Sequence, residues 1–274
     1  WHYLHQYRWA RTGLTVILII LQILTTTAQF GHISNQRAIS ERWEWDCRAL
    51  GITLNQAFAT QEPLVAVTAA GCLPYWSELP SIDMLGLNDY YLPRHKPADM
   101  GTGLLGHELG DGDYVLQRSP DMVIFHIGIQ PIFLTGKQLS ENPAFHQQYR
   151  EISIRTAVEP YYTALVWVKV ASNLIGYVQS DGEVRIPAYF LNAFETTTAW
   201  FDGDQLVISV DRDHPAGVVV DQLPASYTLT VVSRHAEQIK ASVEPAEQGS
   251  RIVLTSEGTA PLAVEALVIT DTSR

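Results

Sequence analysis

An uncharged apolar segment near the N-terminus places the strongest constraint on how this chain can fold. Residues 13–30, GLTVILIILQILTTTAQF, contain no Asp, Glu, Lys or Arg. As an α-helix, Leu14–Phe30 would extend roughly 25 Å, close to the ~30 Å hydrocarbon thickness of a bilayer. Trp9 and Phe30 are aromatic residues that suit the two membrane interfaces. The segment therefore predicts a transmembrane helix with a short cytoplasmic flank in residues 1–30.

A spanning helix would leave Arg8 and Arg11 in the cytoplasm and place residues after about 31 outside it. The same segment allows two other interpretations. A signal peptide with Leu14–Leu24 as its apolar region also directs residues 31–274 out of the cytoplasm. A buried helix of a soluble core is the third interpretation. The chain begins at Trp1 rather than Met, which suggests a longer polypeptide upstream and favours the spanning helix.

The overall composition excludes one large class of function. The formal net charge is −11, and no Lys- or Arg-rich run occurs, so the chain lacks the basic surface that nucleic-acid binding needs. Its two cysteines, Cys47 and Cys72, do not form a CxxC pair. A zinc cage or redox motif is therefore not predicted. The two cysteines could form one disulfide or remain two buried thiols.

The segment after residue 31 has the pattern of a small α/β domain, which we place at residues 31–150. Apolar residues at helical spacing over Ser34–Ala59 predict one or two helices, which Pro63 ends. The β-branched run Leu64–Gly71 predicts a buried strand. Further strands of the same sheet are predicted at Ser81–Leu87, Tyr114–Gln117 and Asp121–Ile127.

The sequence pattern changes between Pro143 and Asp181. Strand-like runs such as TALVWVKVA, DQLVISVD and SRIVLTSEG then recur about every ten residues, separated by Gly, Asp, Pro and Ser. This spacing is typical of an antiparallel sandwich or barrel. We therefore predict an α/β plus all-β fold, with a β-sandwich-like domain at residues 151–274.

A dense set of polar residues lies between the predicted strands. These residues follow strand ends, where α/β proteins gather their ligands, and they form our candidate acceptor-binding or structural motif. The set comprises Asp83, Asn88, Asp89, His107, Asp111 and Asp113. The alternative is that these Asp residues and the neighbouring Gly residues only build turns, through side-chain bonds to the backbone and positive φ angles.

Specific ligand motifs fail in this region. Asp111-Gly112-Asp113 resembles the start of a calcium loop, but Gly112 stands at the wrong position. Gly101–Gly106 has the letters of a dinucleotide-binding loop without a strand leading directly into it. The residue types would also allow a metal site of carboxylates and His107, or a carboxylate pair for glycoside hydrolysis. We assign no metal site.

Aromatic residues lie close to this polar set in the sequence. Sugar C–H faces stack well on aromatic rings, so these residues are candidates for sugar stacking. They are Tyr75, Trp76, Tyr90 and Tyr91. The alternative is that these rings fill a strand-rich core.

Two longer motifs resemble a known family. VAVTAAGCLPYWSELPSIDMLGLND and GHELGDGDYVLQRSPDMVI resemble the extracytoplasmic tail of bacterial membrane glycosyltransferases of the C-type superfamily. These are relatives of protein mannosyltransferases, lipid A aminoarabinose transferases and mycobacterial arabinofuranosyltransferases. The resemblance covers roughly residues 40–130, and Trp76 stands where the family pattern has a second aromatic residue.

The resemblance implies a function for the parent protein. A sugar would pass from a polyprenyl-phosphate donor to a glycan or lipid acceptor of the cell envelope, on the outer side of the bacterial inner membrane. In such enzymes the catalytic acidic residue, sometimes with a divalent metal, lies in an early external loop. This chain lacks that loop, so we assign it no catalytic residue and no cofactor, and we expect an acceptor-binding or structural role.

Two alternatives come from other functional classes. The first is a noncatalytic exported module that binds glycans. The second is a secreted metal-dependent hydrolase that uses the Asp and His residues between positions 83 and 113.

Overall fold

The computed structural model describes residues 7–40, 42–192, 194 and 197–273. Residues 1–6, which belong to the predicted cytoplasmic flank, lie outside the described residues. The chain divides into two compact units, Trp1–Glu44 and Trp45–Arg274.

The first unit is helical. Helix α1 spans Arg8–Gly31, and α2 spans Ile33–Ser40. Within α1, Trp9–Gly31 is long and apolar enough to cross a membrane, and protein atoms bury none of it. The hydroxyls of Thr15 and Thr25 donate to the carbonyls of Arg11 and Leu21, each at 2.9 Å. These i to i−4 bonds satisfy polar groups inside an otherwise apolar helix. The prediction of a helix of membrane-spanning length is confirmed.

Helix α3, Trp43–Phe58, completes the helical segment predicted from the sequence. Cys47, Leu50, Leu54 and Phe58 recur at helical spacing and are buried. Cys47 forms a disulfide with Cys72, which begins helix α4 at Cys72–Ser77. The sequence left open whether the two cysteines form a disulfide or remain free thiols, and the structure shows a disulfide.

A five-stranded sheet forms the centre of the α/β part. Its strands are β1 (Val65–Val67), β2 (Ser81–Asp83), β3 (Met122–Ile124), β4 (Tyr149–Arg155) and β5 (Thr163–Lys169). Their spatial order is β2-β1-β3-β5-β4. Strand β1 pairs in parallel with β2 and β3, whereas β5 pairs antiparallel with β3 and β4.

The parallel strands are buried on both faces. Val65 and Val67 belong to one apolar cluster, while Ala66 and Ile82 belong to the cluster on the opposite face. Short continuous apolar runs are typical of such strands. The second cluster is covered by residues of three short helices. These are α5 (Gly112–Gln117), α6 (Leu134–Glu141) and α7 (Pro143–Gln148).

One predicted strand is wrong. Residues Tyr114–Gln117 lie in helix α5 rather than in the sheet. The Asp111 side chain caps this helix by accepting a hydrogen bond from the Tyr114 amide at 2.9 Å. Four residues are too short for periodicity to distinguish a strand from one helical turn, so the cap decides the outcome.

The C-terminal part is rich in antiparallel strands, as predicted. Strands β6 (Val178–Ser180), β7 (Glu183–Pro187), β11 (Tyr227–Val232) and β15 (Ala266–Asp271) form one sheet in the order β11-β15-β7-β6. Strands β10 (Ala216–Val220), β12 (Ile239–Pro245) and β13 (Ser250–Ser256) form a second, ordered β10-β13-β12. Strands β8 (Trp200–Asp202), β9 (Gln205–Val210) and β14 (Leu262–Val264) form a third, ordered β14-β9-β8.

The antiparallel part of the chain begins with the β4–β5 hairpin, but both of its strands still belong to the five-stranded sheet. Strand β5 corresponds to the run that our sequence analysis grouped with the C-terminal set, yet it pairs with β3 of the α/β sheet. Periodicity identifies a strand but not its partner. The domain boundaries at residues 31 and 151 stay predictions.

Candidate functional site

The three parallel strands end side by side, and this edge gathers most of the predicted site. Val67 at the end of β1 is paired with Asp83 of β2 and Ile124 of β3. The chain reaches β2 on one side of β1 and β3 on the other. Such a reversal opens a crevice beyond the carboxyl ends of the strands. The loops that follow β1, β2 and β3 therefore meet at one edge of the sheet.

Asp83 organises the loop after β2. It is 5% exposed, and its Oδ1 accepts hydrogen bonds from the amides of Leu85 and Gly86 at 2.8 and 3.1 Å. Its Oδ2 accepts a further bond from the Asn88 amide. Gly86 has φ of +77°, which favours glycine. The carboxylate of Asp83 is thus occupied by the turn that it builds.

Asp89 performs a similar role one turn later. Its Oδ1 accepts hydrogen bonds from the amides of Tyr91 and Leu92, each at 2.8 Å. Its Oδ2 accepts the hydroxyl of Tyr114 at 2.8 Å. Arg118 Nη1 donates to the same hydroxyl oxygen at 2.8 Å. An Asp–Tyr–Arg chain of hydrogen bonds thus joins the loop to helix α5.

The environment of Tyr114 shifts its acidity. Burial raises the pKa of the Tyr114 phenol, and its hydrogen bond to Asp89 raises it further. The bond from Arg118 acts in the opposite direction. Tyr114 therefore stays protonated and donates to Asp89 at neutral pH.

The two adjacent tyrosines in the loop have different surroundings. Tyr91 stacks on His95 and on Tyr114, with ring centroids 3.7 and 4.2 Å away and nearly parallel planes. Two rings this close can only occupy opposite faces, so Tyr91 has no face left for a sugar. Tyr90 is 76% exposed, and the Arg94 guanidinium covers one of its faces at 3.6 Å. The other face of Tyr90 is available for stacking.

These residues enclose a cleft of about 380 Å³, which we call the tyrosine cleft. Five of the ten predicted positions line it: Asp83, Asn88, Asp89, Tyr90 and Tyr91. Tyr114 and Arg118 complete its wall, and sequence reasoning missed both. Tyr114 lies on α5 and Arg118 is its C-cap residue. Their i, i+4 spacing was the available signal, but it was hidden because this segment was predicted to be a strand.

Asp111 and Asp113 do not line the tyrosine cleft. Asp111 caps helix α5, and Asp113 is exposed with one long contact, 3.4 Å from Asn142 Nδ2 to its Oδ1. The preceding Gly110 packs tightly, because an added Cβ would lie 2.6 Å from Thr135 Oγ1. The Gly110–Asp113 motif therefore begins helix α5 where the backbone packs closely against Thr135.

His107 lines a second cleft of about 450 Å³, which we call the histidine cleft. Its ring stacks on Phe133 at 4.8 Å, and His126 meets the same ring edge-on at 5.8 Å. Burial and the neighbouring His107 lower the pKa of His126. Lys137 also lines this cleft. Glu108 closes the adjoining loop, because its Oε1 accepts the amides of Gly101 and Gly103.

Tyr75 and Trp76 lie on α4 and line neither of these clefts. Their rings meet edge-on at 5.1 Å, and the Arg48 guanidinium lies 5.0 Å from the Trp76 ring. Gly51 of α3 lets α4 approach closely, because an added Cβ would lie 2.5 Å from Trp76 Cβ. Tyr75 is 72% exposed and remains accessible.

Two further observations concern the same edge. Within the described part of the chain, no three His, Cys, Asp or Glu residues are grouped so that they could hold a metal ion. Thr68, immediately after β1, is 5% exposed, and its hydroxyl has no hydrogen-bond partner among the described residues.

Comparison with protein families identifies the region that carries these clefts. A family model described as a domain of unknown function (DUF8728) matches residues 35–186, more than half of the chain. The chain belongs to this family. The matched DUF8728 region contains α3, the whole five-stranded sheet and both clefts, and it ends in β7. No curated protein and no solved structure matches the chain.

Proposed function

We propose that this DUF8728 protein is the extracytoplasmic C-terminal part of a bacterial membrane glycosyltransferase, and that its tyrosine cleft binds the envelope acceptor. The parent enzyme transfers a sugar from a polyprenyl-phosphate donor to a glycan or lipid acceptor. The proposal rests on the motifs of residues 69–121, and it places catalysis in the membrane region that precedes this chain.

Two features support a location outside the cytoplasm. Helix α1 contains a segment of membrane-spanning length. The Cys47–Cys72 disulfide lies in the unit that follows it. Disulfides form and persist in oxidising compartments and are rare in the cytosol. Together they favour a membrane-anchored domain exposed on the outer face of the inner membrane.

The composition of the tyrosine cleft carries the proposal for acceptor binding. An exposed tyrosine face, an exposed amide at Asn88 and the guanidinium of Arg118 converge on one cleft at the carboxyl edge of parallel strands. Ring faces stack on sugar C–H groups, while amide and guanidinium groups bond to hydroxyls. This set of side chains suits recognition of a saccharide.

The same cleft supports binding better than catalysis. A carboxylate that serves as an acid, base or nucleophile must reach the substrate. Both oxygens of Asp83 and both oxygens of Asp89 already accept hydrogen bonds within the protein. The cleft therefore holds an acceptor without supplying the catalytic acid of the parent enzyme.

Binding can be tested with the full chain in lipid nanodiscs on an array of bacterial envelope oligosaccharides. Tyr90→Ala removes the exposed ring, and we expect about tenfold weaker binding of any retained glycan, as loss of one stacking contact implies. Tyr161→Ala is the matched control. Tyr161 is also exposed, also has an arginine near its ring and lines neither cleft.

Two outcomes would contradict acceptor binding. One is that the array retains no glycan. The other is that Tyr90→Ala and Tyr161→Ala weaken retention equally, which would show that binding does not depend on the tyrosine cleft.

Transfer is tested separately in membranes that contain the parent protein, with a polyprenyl-phosphate-linked sugar as donor. We expect Tyr90→Ala to raise the KM for acceptor while kcat stays unchanged, because the ring binds the ground state and the transition state equally. Glycan retention without any transfer would instead indicate a noncatalytic glycan-binding module.

A further inference from the structure

Apolar side chains are exposed where two loops meet beside the histidine cleft. Leu105 is 89% exposed and Leu104 is 67% exposed, in the loop that follows β2. Ile129 and Ile132, in the loop after β3, are 41% and 47% exposed. Leu104 and Ile132 line the same cleft, so the two loops share one surface. With Met100, these residues form what we call the apolar patch.

A hydrogen-bonded turn holds Leu105, the most exposed residue of the apolar patch, toward solvent. The His107 amide donates to the Leu104 carbonyl at 2.9 Å, which closes a four-residue turn over Leu104–His107. Gly106 has φ of +80° at the third position of that turn, as a type II turn requires. Two hydrogen bonds to Glu108 Oε1 fix the segment just before it. Leu105 is therefore exposed to solvent at the second position of a hydrogen-bonded turn.

We infer that the apolar patch inserts into the interfacial layer of a lipid bilayer. The chain contains a helix of membrane-spanning length, so a bilayer is close to every molecule that is correctly inserted. Exposed apolar clusters on soluble domains mark interaction surfaces, and the strength of interfacial insertion scales with the apolar area buried at headgroup depth.

A second copy of the chain fits this surface less well. Five partly exposed side chains fall far short of the roughly 20–30 residues a side of a standard protein interface. The cleft beside the patch also carries little net charge, since Lys137 offsets one of its two carboxylates, Asp99 and Glu108. The patch therefore enters the headgroup layer with far less negative charge than the whole chain, whose net charge is −11.

The inference does not depend on the proposed glycosyltransferase activity, and a fluorescence measurement tests it directly. The full chain is placed in phosphatidylcholine nanodiscs at one chain per disc. Because both native cysteines are in a disulfide, Leu105→Cys provides a single site for an environment-sensitive dye. We expect a blue-shifted emission that brominated phosphatidylcholine quenches at least twofold. A dye at Val243→Cys, an exposed apolar position on β12, is the control and stays unquenched.

A second variant separates insertion from a local effect of the label. The dye is moved to Ile132→Cys, and quenching is compared with and without the double change Leu104→Ser and Leu105→Ser. We expect the double change to abolish quenching, whereas Leu87→Ser, at an exposed position outside the patch, leaves it unchanged. Circular dichroism verifies that each variant is folded.

Several results would overturn the inference. Equal emission from the dyes at positions 105 and 243 would show that the patch stays in water. A blue shift that appears only at two chains per disc would identify a second copy as the occupant. Salt provides a further test, because about 0.1 to 0.5 M spans the range in which exposed charges become screened. Loss of quenching over this range would indicate electrostatic binding to lipid headgroups rather than apolar insertion. A chain that fails to enter nanodiscs would remove the bilayer on which the inference depends.

Discussion

The carboxyl edge of the parallel strands and the C-terminal β-rich part use aspartate in the same way but with different consequences. In the β-rich part, Asp211 Oδ1 accepts the amides of Asp213 and His214 in an exposed turn between β9 and β10. At the parallel edge, Asp83 and Asp89 accept amides in the same manner. Asp83 and Asp89 also line the tyrosine cleft.

The difference arises from what surrounds each turn. The turn after β9 leads to β10, which belongs to a different sheet, and residues 212–214 of this turn are exposed. A parallel strand must be followed by a long crossover, so several loops accumulate at the same edge. The polar residues of those loops become buried against one another, and their side chains line clefts. Aspartate alone therefore does not mark a site, whereas its position in the sheet topology does.

Replacement of Asp83 provides the largest expected contrast between the two regions. We expect Asp83→Ala to lower the free energy of unfolding by roughly 3–5 kcal/mol, because three backbone amides lose a buried charged acceptor. Asp211→Ala should cost less, because two backbone amides rather than three lose their acceptor and the neighbouring turn residues are exposed. Urea unfolding measures both. Asp83→Asn keeps one acceptor oxygen and should lie between them. Equal losses for Asp83→Ala and Asp211→Ala would contradict the contrast.

Removal of the disulfide should affect the α/β part more than the β-rich part. Cys47 and Cys72 are 25 residues apart in the sequence, and opening a loop of that length costs about 3 kcal/mol in the unfolded-chain model. We expect the double change of Cys47 and Cys72 to Ser to speed hydrogen exchange in α3 and β1 before it does so in β13 and β15. Uniform acceleration throughout would show that the two parts unfold as one.

The two aspartates beside Gly112 should differ from each other. Asp111→Ala removes a helix cap and should cost about 1 kcal/mol. Asp113→Ala removes only one long contact and should stay within about 0.5 kcal/mol. Thermal unfolding compares the two variants, and Asp111→Asn serves as the control because Asn also caps helices. A large loss for Asp113→Ala would assign it a structural role that its exposure does not suggest.

The smallest expected effect is a pH dependence from His126, whose ring contacts Phe133 of the histidine cleft. His126 has a lowered pKa, so the folded state binds its proton more weakly than the unfolded state does. Its contribution to stability is complete above about pH 6.5 and is lost as the pH falls through the folded-state pKa. We expect Tm to fall between pH 7.5 and 5.5, and His126→Asn to reduce that fall. Asn is chosen because His126 has φ of +50°.

The control for this pH dependence lies in the β-rich part. His235→Asn changes an exposed histidine, and we expect the fall in Tm to persist in that variant. If His235→Asn flattens the profile as much as His126→Asn does, the pH dependence does not originate at the histidine cleft.

Local chemistry made much of the fold predictable. Helices α2 and α3, strands β1, β2 and β3, and most of the C-terminal strands follow from apolar periodicity and from Pro and Gly boundaries. The segment Tyr114–Gln117 was mispredicted because a run of four residues, three of them apolar or aromatic, satisfies both patterns. The pairing of β5 with β3 was missed because a strand's partner depends on contacts that are distant in sequence.

The site was predictable to a smaller extent. The sequence located half of the residues that line the tyrosine cleft, because they follow a strand end. It left open whether Asp83 and Asp89 bind backbone amides to build turns, and it did not reveal that His95 and Tyr114 cover both faces of Tyr91. The bonds to backbone amides are local in the sequence, but the stacking on Tyr91 depends on Tyr114, which lies in a distant segment.

The sequence by itself determined a helix of membrane-spanning length, an α/β segment followed by a β-rich segment, and a concentration of polar residues after residue 83. Each of these is a property of consecutive residues, so composition and periodicity suffice to find it. Only the tertiary structure decided that the polar residues form two separate clefts, that Arg118 and Tyr114 complete one of them, and that Leu104, Leu105 and Ile132 share an exposed surface. These features require distant segments to meet, and the order of strands in the sheet decides which segments do.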